Sequence, residues 1–532
     1  MTEPDDKASE CRADDGGGVG RATVVVSGLT LVSRFTGLVR DAVLAATLGL
    51  SVWADIFFLA FLVPNLFRRL FGEGALTSAF IPAYTRLYGL DARRAAGFAG
   101  SVLAWTAGVT AVIAAVGVVA LLIAGSWVAA SSRASEALRL AAWMLPYMPL
   151  VCLVAMLGGL LQARGVFAPA AAAPILLNAA MISAALLAGA LSFGASGVAF
   201  ALALSVLVAG VLQLLWMVVA SSRRGLVARP SAASGPEVGS MAWRMLPMAG
   251  GLAVFQVNAL LDHVIAFVLS PPDAGVTTVG WLPGGVAYPI ETGSVAALQW
   301  SQRLYQFPLG VFGIAVATAA FPALARAASD PRAFGGVLRR GLGLSLWLTL
   351  PASVGLALVA EPLVALIYER GAFDGAATAR VALLLLAYGS AVWAYSLTHV
   401  LTRACYALDR PTWPLRVMAA TVPLNLVLNL TLIWPLGAVG LAWSTAAAAV
   451  VQALGLALVL RRRGGLGMAG TATRVVVASV VMGVVVWLLD QRLAEASALV
   501  RVAGAVGVGM AVYALASWPL GLMRLLASQR TG

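Results

Sequence analysis

The sequence has little charge, little cysteine and almost no histidine. Only 11% of its 532 residues are charged while 61% are hydrophobic, which excludes an ordinary soluble domain. The three cysteines, Cys11, Cys152 and Cys405, build no framework: one lies in the first polar stretch and two in apolar runs, so no disulfide is expected. The two histidines, His263 and His399, have no metal-ligand spacing and read as structural. There is no nucleophile–base pair, metal cluster or phosphate-binding loop, so the chain is not expected to be an enzyme. Residues 1–21 lack the apolar core of a cleaved signal and read as a disordered cytoplasmic tail.

What the sequence does have is apolar length. Its hydrophobic residues come in runs of about 20, enough to cross about 30 Å of hydrocarbon. Fourteen runs are counted, at 23–49, 53–72, 97–125, 138–162, 168–191, 196–220, 241–269, 294–323, 341–366, 381–402, 412–434, 437–460, 472–489 and 499–522. The expected fold is an all-α polytopic membrane protein with fourteen transmembrane helices. Arginine tests the count. With the N-terminus inside, 24 of the 35 basic residues fall on the cytoplasmic side and 6 on the other, so both termini are expected to be cytoplasmic. The net charge of +13 suits an anionic substrate, and the same surplus follows from the topology rule alone; both readings stand. No nucleic-acid partner is expected.

The chain repeats internally. Gly194-Ala195-Ser196-Gly197-Val198-Ala199-Phe200 recurs as Gly437-Ala438-Val439-Gly440-Leu441-Ala442-Trp443, at an offset of 243. Pro169 and Pro411, and Phe80-Ile81-Pro82-Ala83 and Ala320-Phe321-Pro322-Ala323, repeat at nearly the same offset, and Gln213 and Gln452 follow in their helices. The expected organisation is a tail at 1–21, an N-terminal lobe at 22–222 (helices 1–6) and a cytoplasmic linker at 223–240. A C-terminal lobe at 241–463 (helices 7–12) follows, then helices 13–14 with the cytoplasmic C-terminus at 464–532. Two-lobed transporters of this layout bind substrate between lobes and rock between two accesses.

One stretch breaks the apolar pattern. Ser33-Arg34-Phe35-Thr36-Gly37-Leu38-Val39-Arg40-Asp41 lies inside the first span. At about 100° per residue, Arg34, Asp41, Gly37, Ser33 and Arg40 all project into about one third of the helix surface. Charges at that depth cost several kcal/mol unless they line a wet cavity or pair with each other. The second span begins with Asp55 and carries Pro64, Asn65, Arg68, Arg69 and Glu73. Pro64 should kink it. The eighth carries Arg303 one turn before Pro308. Arginines near span ends also serve as lipid anchors, and that reading stays open for Arg68 and Arg69.

The ordered string Ser33-Arg34, Gly37, Arg40-Asp41, Asp55, Phe57-Phe58, Ala60-Phe61, Pro64-Asn65-Leu66, Arg68-Arg69, Glu73-Gly74-Ala75 and Phe80-x-Pro82 resembles the lipid II flippase family (MurJ, or MviN). That family belongs to the multidrug/oligosaccharidyl-lipid/polysaccharide exporter superfamily. Arg303-Leu304, Phe307-Pro308, Gly310-Val311, Gly313, the Pro351 region and Gly371-x-Phe373 are similar too, and the likeness covers about 22–460. It implies fourteen spans, location in the bacterial inner membrane, and transfer of lipid II between leaflets by alternating access, for cell-wall synthesis. It implies lipid II and membrane lipids as partners, with the cell-wall synthesis machinery as a further candidate. Substrate binding falls to Arg34, Arg40, Arg68 and Arg303, with Ser33, Gly37 and Asn65 beside them. Asp41, Asp55 and Glu73 become counter-charges or gates. Leu62 stands where family members often carry Lys, Gln302 where many carry Asp, and Gln306 where a Glu is usual.

A second polar set comprises Asn258 and Asp262 on span 7, Asn425 and Asn429 on span 11, and Thr445 on span 12. Each i, i+4 pair shares a helix face. The resemblance implies sodium as the one candidate cofactor, held by Asp262, Asn425, Asn429 and Thr445; oxygen-only ligands suit a hard cation. Interhelical hydrogen bonding would use the same residues. The alternatives to lipid II transfer are export of another lipid-linked oligosaccharide, a polysaccharide or a drug, or a non-transporting scaffold of the cell-wall machinery.

Overall fold

The computed structural model describes residues 7–72, 75–129, 132–226, 229–272, 275–461 and 467–522. Nearly all of these are helical, and the chain divides into two units. Met1–Leu48 and Val52–Gln256 form the first; Gly49–Ser51 and Val257–Gly532 form the second.

The first unit holds α1 (Lys7–Leu48), α2 (Val52–Gly72), α3 (Ala75–Leu90), α4 (Ala92–Ser126), α5 (Arg133–Met144), α6 (Tyr147–Ala163), α7 (Ala168–Ala190) and α8 (Ala195–Ser222), then the first part of α9 (Gly235–Val268). Local sequence sets the breaks. Asp91 caps α4 by accepting from the Arg93 amide at 2.8 Å, and Ser132 caps α5 by accepting from Ser135. Pro146 divides α5 from α6, and together they make one apolar segment, Arg133–Ala163. Small residues let the helices close on each other, since lipid gives little hydrophobic drive for helix association. A Cβ on Gly210 would lie 2.7 Å from the Tyr147 ring.

The second unit holds the rest of α9, α10 (Ser294–Pro308), α11 (Ala315–Arg326), α12 (Pro331–Leu358), α13 (Ala360–Tyr368), α14 (Gly375–Ser390), α15 (Val392–Ala407), α16 (Thr412–Leu436), α17 (Ala438–Leu460), α18 (Ala469–Arg492) and α19 (Ala498–Ser517). A π-helical turn, Leu309–Ile314, joins α10 to α11 directly after Pro308. It sits against α15, where a Cβ on Gly313 would fall 2.3 Å from Ser396 Oγ. Helices α18 and α19 pack on α12 and α13. There Trp347 Nε1 donates to Ser517 Oγ (3.2 Å), and Tyr513 Oη donates to the Trp347 carbonyl (2.8 Å). Arg501 grips Asp490 with two hydrogen bonds, at 2.9 and 3.0 Å.

Among the described residues, ten helical segments are long and apolar enough to cross a membrane, and α14 with α15, bent by 40°, makes an eleventh. They occupy the expected spans 3–6 and 8–14. Spans 1, 2 and 7 fall on α1, α2 and α9, which are helical but are not among these eleven. The repeat lands on matching places: Gly194 and Gly437 cap α8 and α17, Pro169 and Pro411 sit at the starts of α7 and α16, and Pro82 and Pro322 lie inside α3 and α11.

Three details differ from the sequence reading. The stretch expected to be a disordered tail is helical from Lys7 onward, as a continuation of the long apolar helix behind it; residues 1–6 lie outside the described residues. Helix α3 occupies what was read as a loop. At 16 residues it is too short to cross, and it buries Phe80, Tyr84 and Leu87 against Phe98 of α4. The units divide inside α9, not within 223–240. Residues after the linker pack on the first unit: Val238, Met241 and Met245 join the core around Phe80 and Phe98. The linker is docked as well. Gly97 and Gly100 of α4 leave room for it, since a Cβ on Gly100 would lie 2.2 Å from the Arg229 carbonyl carbon. Ser101 Oγ donates to the Ser231 carbonyl (3.0 Å) and accepts from the Ser231 amide (2.9 Å), and Arg94 pairs with Glu237.

Candidate functional site

The first polar site grows from α1. Leu31, Val32, Phe35, Leu38 and Val39 are exposed along one side of the helix, which turns Arg40 and Asp41 inward to burial. Arg40 Nε and Nη2 donate to Asp41 Oδ1, at 3.0 and 2.6 Å. Its third contact runs from Nη1 to Asn178 Oδ1 of α7, at 3.0 Å. Asn178 Nδ2 then donates to the Ser33 carbonyl (3.1 Å) and to Thr36 Oγ1 (3.0 Å). One amide on α7 thus holds both the arginine and the helix turn before it. The space beside Gly37 is ordinary, with an added Cβ at 3.6 Å from Asn178 Nδ2.

The other expected residues separate. Arg34 is exposed, a turn and a half from Arg40 on α1. Arg68 of α2 is half-buried, and its Nε donates to Asn65 Oδ1 at 2.9 Å. The Tyr147 hydroxyl is buried on α6. It lies 3.4 Å from Gln213 Oε1, and Gln213 Nε2 donates to the Ala173 carbonyl. Asp55 is fully buried and accepts from Arg133 Nη2 of α5 at 2.8 Å. Glu73 lies outside the described residues. Arg303 is half-buried on α10, in the second unit.

Two members of this site were not found from sequence. Asn178 is a lone amide in an alanine-rich span. Arg133 is one of the six basic residues that the topology count places on the outer side, yet a cation in the first turn of a helix has the wrong sign for the helix dipole. That misplacement is the signal that something else, here Asp55, holds it.

The second polar site lies wholly in the second unit. Asp262 of α9, buried, accepts at Oδ1 from Asn425 Nδ2 (3.1 Å) and Asn429 Nδ2 (2.6 Å), and at Oδ2 from Thr445 Oγ1 (3.0 Å). Asn425 Nδ2 also donates to Asn258 Oδ1 (3.1 Å). All five sequence-expected residues converge here. The amide oxygens of Asn425 and Asn429 are buried with no hydrogen-bond partner among the described residues. The amides meet the carboxylate through their nitrogens, and their buried oxygens, with the carboxylate and the Thr445 hydroxyl, are the kind of oxygen donors that suit a hard cation. His263, next to Asp262, places Nδ1 2.7 Å from the Ala259 carbonyl of its own helix, a structural use of the ring. The neighbouring helix α10 reaches this region through Gln302, whose Nε2 donates to Tyr388 Oη at 3.2 Å.

Two units of long apolar helices, repeated in sequence and each crossed by a buried polar cluster, define a polytopic two-lobed helical transporter. Its fold is similar to that of a solved structure titled lipid II flippase MurJ, inward closed conformation, with a TM-score of 0.77 at 22% identity, covering 95% of this chain and 100% of that one. It is also similar to an inward-facing multidrug resistance MATE family transporter of the MOP superfamily (TM-score 0.62, 15% identity, 83% and 97% covered). The family model described as lipid II flippase MurJ matches residues 44–503. A probable lipid II flippase MurJ of Rhizobium tropici is 34% identical over 521 residues, covering 94% of this chain and 93% of its own. One from Vibrio cholerae is 31% identical over 527 residues, covering 93% and 94%. The chain belongs to the MurJ lipid II flippase family, and so is a multi-pass protein of the bacterial cytoplasmic membrane.

Proposed function

We propose that this protein moves lipid II from the inner to the outer leaflet of the cytoplasmic membrane by alternating access, supplying cell-wall synthesis. Membership of the family over nearly the whole chain carries this reading. The chemistry agrees with it. Lipid II carries a pyrophosphate, and a guanidinium can meet a phosphate with two parallel hydrogen bonds. Arg34, Arg40, Arg68 and Arg303 are the residues that take the anionic head group, with Ser33, Gly37 and Asn65 beside them. Arg40 exchanges Asp41 for phosphate oxygens, so Asp41 is the counter-charge of the empty site. Asp55, tied to Arg133, holds the helix that carries Arg68. Both termini are cytoplasmic, and the protein works as a transporter, not an enzyme.

The all-oxygen set of Asp262, Asn425, Asn429 and Thr445 takes sodium in this reading. Bound there, the ion supplies a positive charge for the Asp262 carboxylate and nothing else. The test of the main proposal is complementation of a flippase-depleted strain, with Arg34→Ala, Arg40→Ala and Arg303→Ala alongside the wild type. Wild type rescues and the arginine variants fail at equal membrane abundance. Rescue by all three variants removes the arginine clamp. Failure of the wild type at normal abundance favours an exporter of another substrate or a scaffold.

A further inference from the structure

We propose that the connection between α9 and α10 is a membrane-surface anchor, a charge-free hairpin whose tip holds Trp281 among the lipid headgroups of the outer leaflet. The outer side follows from the cytoplasmic termini of the reading above; the insertion rests on the hairpin itself. Residues 274–290 carry no charged side chain, although Asp273 precedes them and Glu291 follows. Val276, Trp281 and Pro283 are exposed, Trp281 by 63%. An exposed apolar patch of this kind marks a surface that meets something other than water.

The hairpin is a built element. The Val279 amide donates to the Val286 carbonyl (2.8 Å), and the Tyr288 amide donates to the Thr277 carbonyl (3.0 Å). Thr278 and Ala287 face each other as an antiparallel bridge. Gly284 and Gly285 both have positive φ, 88° and 67°, which reverses such a ribbon. A two-stranded ribbon has no interior of its own, yet Val279 is 1% exposed. The ribbon therefore lies down on the second unit and does not stand off into water. A turn closed by the Leu282 amide on the Val279 carbonyl (3.0 Å) then breaks the strand alternation, and Trp281 swings outward. The base is fastened: Ile290 is buried, and Arg380 pairs with Glu291 (3.2 Å) and donates to the Thr292 carbonyl (3.0 Å).

The neighbours set its level. The Pro289 carbonyl packs on Gly437, at the turn between α16 and α17, 3.2 Å from where a Cβ would sit. Trp434, just before that glycine, and Trp443, in the second turn after it, are exposed as well. Tryptophans gather at the headgroup level because the ring is apolar while its N–H still needs a polar partner. The hairpin thus leaves from a helix turn that already carries the mark of a membrane boundary. Its depth is bounded too. Gly280, Gly284 and Gly285 are exposed and shield no backbone, and open backbone groups are not tolerated in hydrocarbon. The tip therefore stops at the headgroup–acyl boundary, about 5–10 Å deep, as amphipathic surface segments do. With no charge in the ribbon, its hold on the bilayer depends neither on anionic lipid nor on salt.

The experiment uses the full-length protein with Cys11→Ser, which leaves only the buried Cys152 and Cys405, and a fluorescent label at Pro283→Cys beside Trp281. It is followed in phosphatidylcholine–phosphatidylglycerol nanodiscs that contain nitroxide lipids. Nitroxides at the headgroup and upper acyl chain quench the label strongly, those at the chain end weakly, and aqueous iodide hardly at all, at low and high salt alike. Adding Trp281→Ser, a change at an exposed position, loses most of the nitroxide quenching and gains iodide quenching. Quenching by iodide and not by nitroxides in the protein that keeps Trp281 overturns the proposal: the hairpin is then in water. Shielding from both also overturns it, because protein then covers the tip. Nitroxide quenching that Trp281→Ser leaves unchanged overturns Trp281 as the anchor. The side is read separately, with a membrane-impermeant maleimide on Thr278→Cys in intact spheroplasts. Reaction there supports the outer leaflet; reaction only after lysis overturns the outer placement and the topology above, whatever the nitroxides show.

Discussion

At the scale of single residues, the two polar sites are held by amides. Asn178 makes contacts to Arg40, Ser33 and Thr36, all on α1. Asn178→Ala leaves those groups without that partner, at a cost of about 1–3 kcal/mol. The expected outcome is a lower unfolding midpoint together with weaker lipid II binding, measured on the purified protein. The pair Asp55–Arg133 is sealed from solvent, with side chains 0% and 2% exposed. Removing either partner strands a buried charge, at about 3–5 kcal/mol. Asp55→Asn and Arg133→Gln should each lower membrane abundance strongly, and the double variant should recover a large part of it; strict additivity would show that the two do not act as a pair. Sequence and structure part company at this scale. Asp262, Asn425 and Asn429 were legible because their i, i+4 spacing places each pair on one face. Asn178 was not, because its meaning comes from partners 138 to 145 residues away. Arg133 was not, because it counts as an ordinary loop cation until Asp55 is folded against it.

At the scale of elements, the two repeated glycines at the starts of α8 and α17 show what a repeat does and does not determine. Both open a helix after a turn. Gly437 has φ +60° and faces the Pro289 carbonyl, 3.2 Å from where a Cβ would sit. Gly194 has φ −63° and open space around it. A side chain is strained only at the first, by about 1–3 kcal/mol. Gly437→Ala should therefore lower the unfolding midpoint while Gly194→Ala leaves it unchanged, as a thermal scan of the two variants will show. The helices were legible as apolar runs of crossing length. The short helix α3 was not, because its buried face, Phe80, Tyr84 and Leu87, is interleaved with Pro, Thr and Arg within 16 residues.

At the scale of the whole molecule, the chain leaves the first unit for the last time inside a helix, α9, after the short excursion at Gly49–Ser51. The expected linker is bonded to α4, and one of its fastenings is ionic. Arg94 hydrogen-bonds the Glu237 carboxylate and holds its pKa below the usual range. A depressed carboxylate pKa stabilises above the unfolded value, and the contribution is lost as pH falls through the folded one. The difference in unfolding midpoint between wild type and Glu237→Gln should be present at neutral pH and vanish in strong acid, and it should shrink in high salt because the pair is at the surface. The docking of the linker was not legible: a Pro/Ser/Gly-rich stretch reads as loose, and only the folded α4, with Gly97 and Gly100 on its surface, shows where it lies.

The buried crossings of α1 on α7 and of α9 on α16 are built alike, a polar side chain of the first helix bonded to an asparagine of the second. Their electrostatics differ. The α1 crossing contains a positive and a negative group side by side, Arg40 and Asp41. The α9 crossing has one acidic group, Asp262, and no basic partner for it among the described residues. Duplication copied the scaffold, and electroneutrality was completed from within in only one copy. At the α9 crossing, the charge balance of Asp262 is therefore left for the surroundings to set.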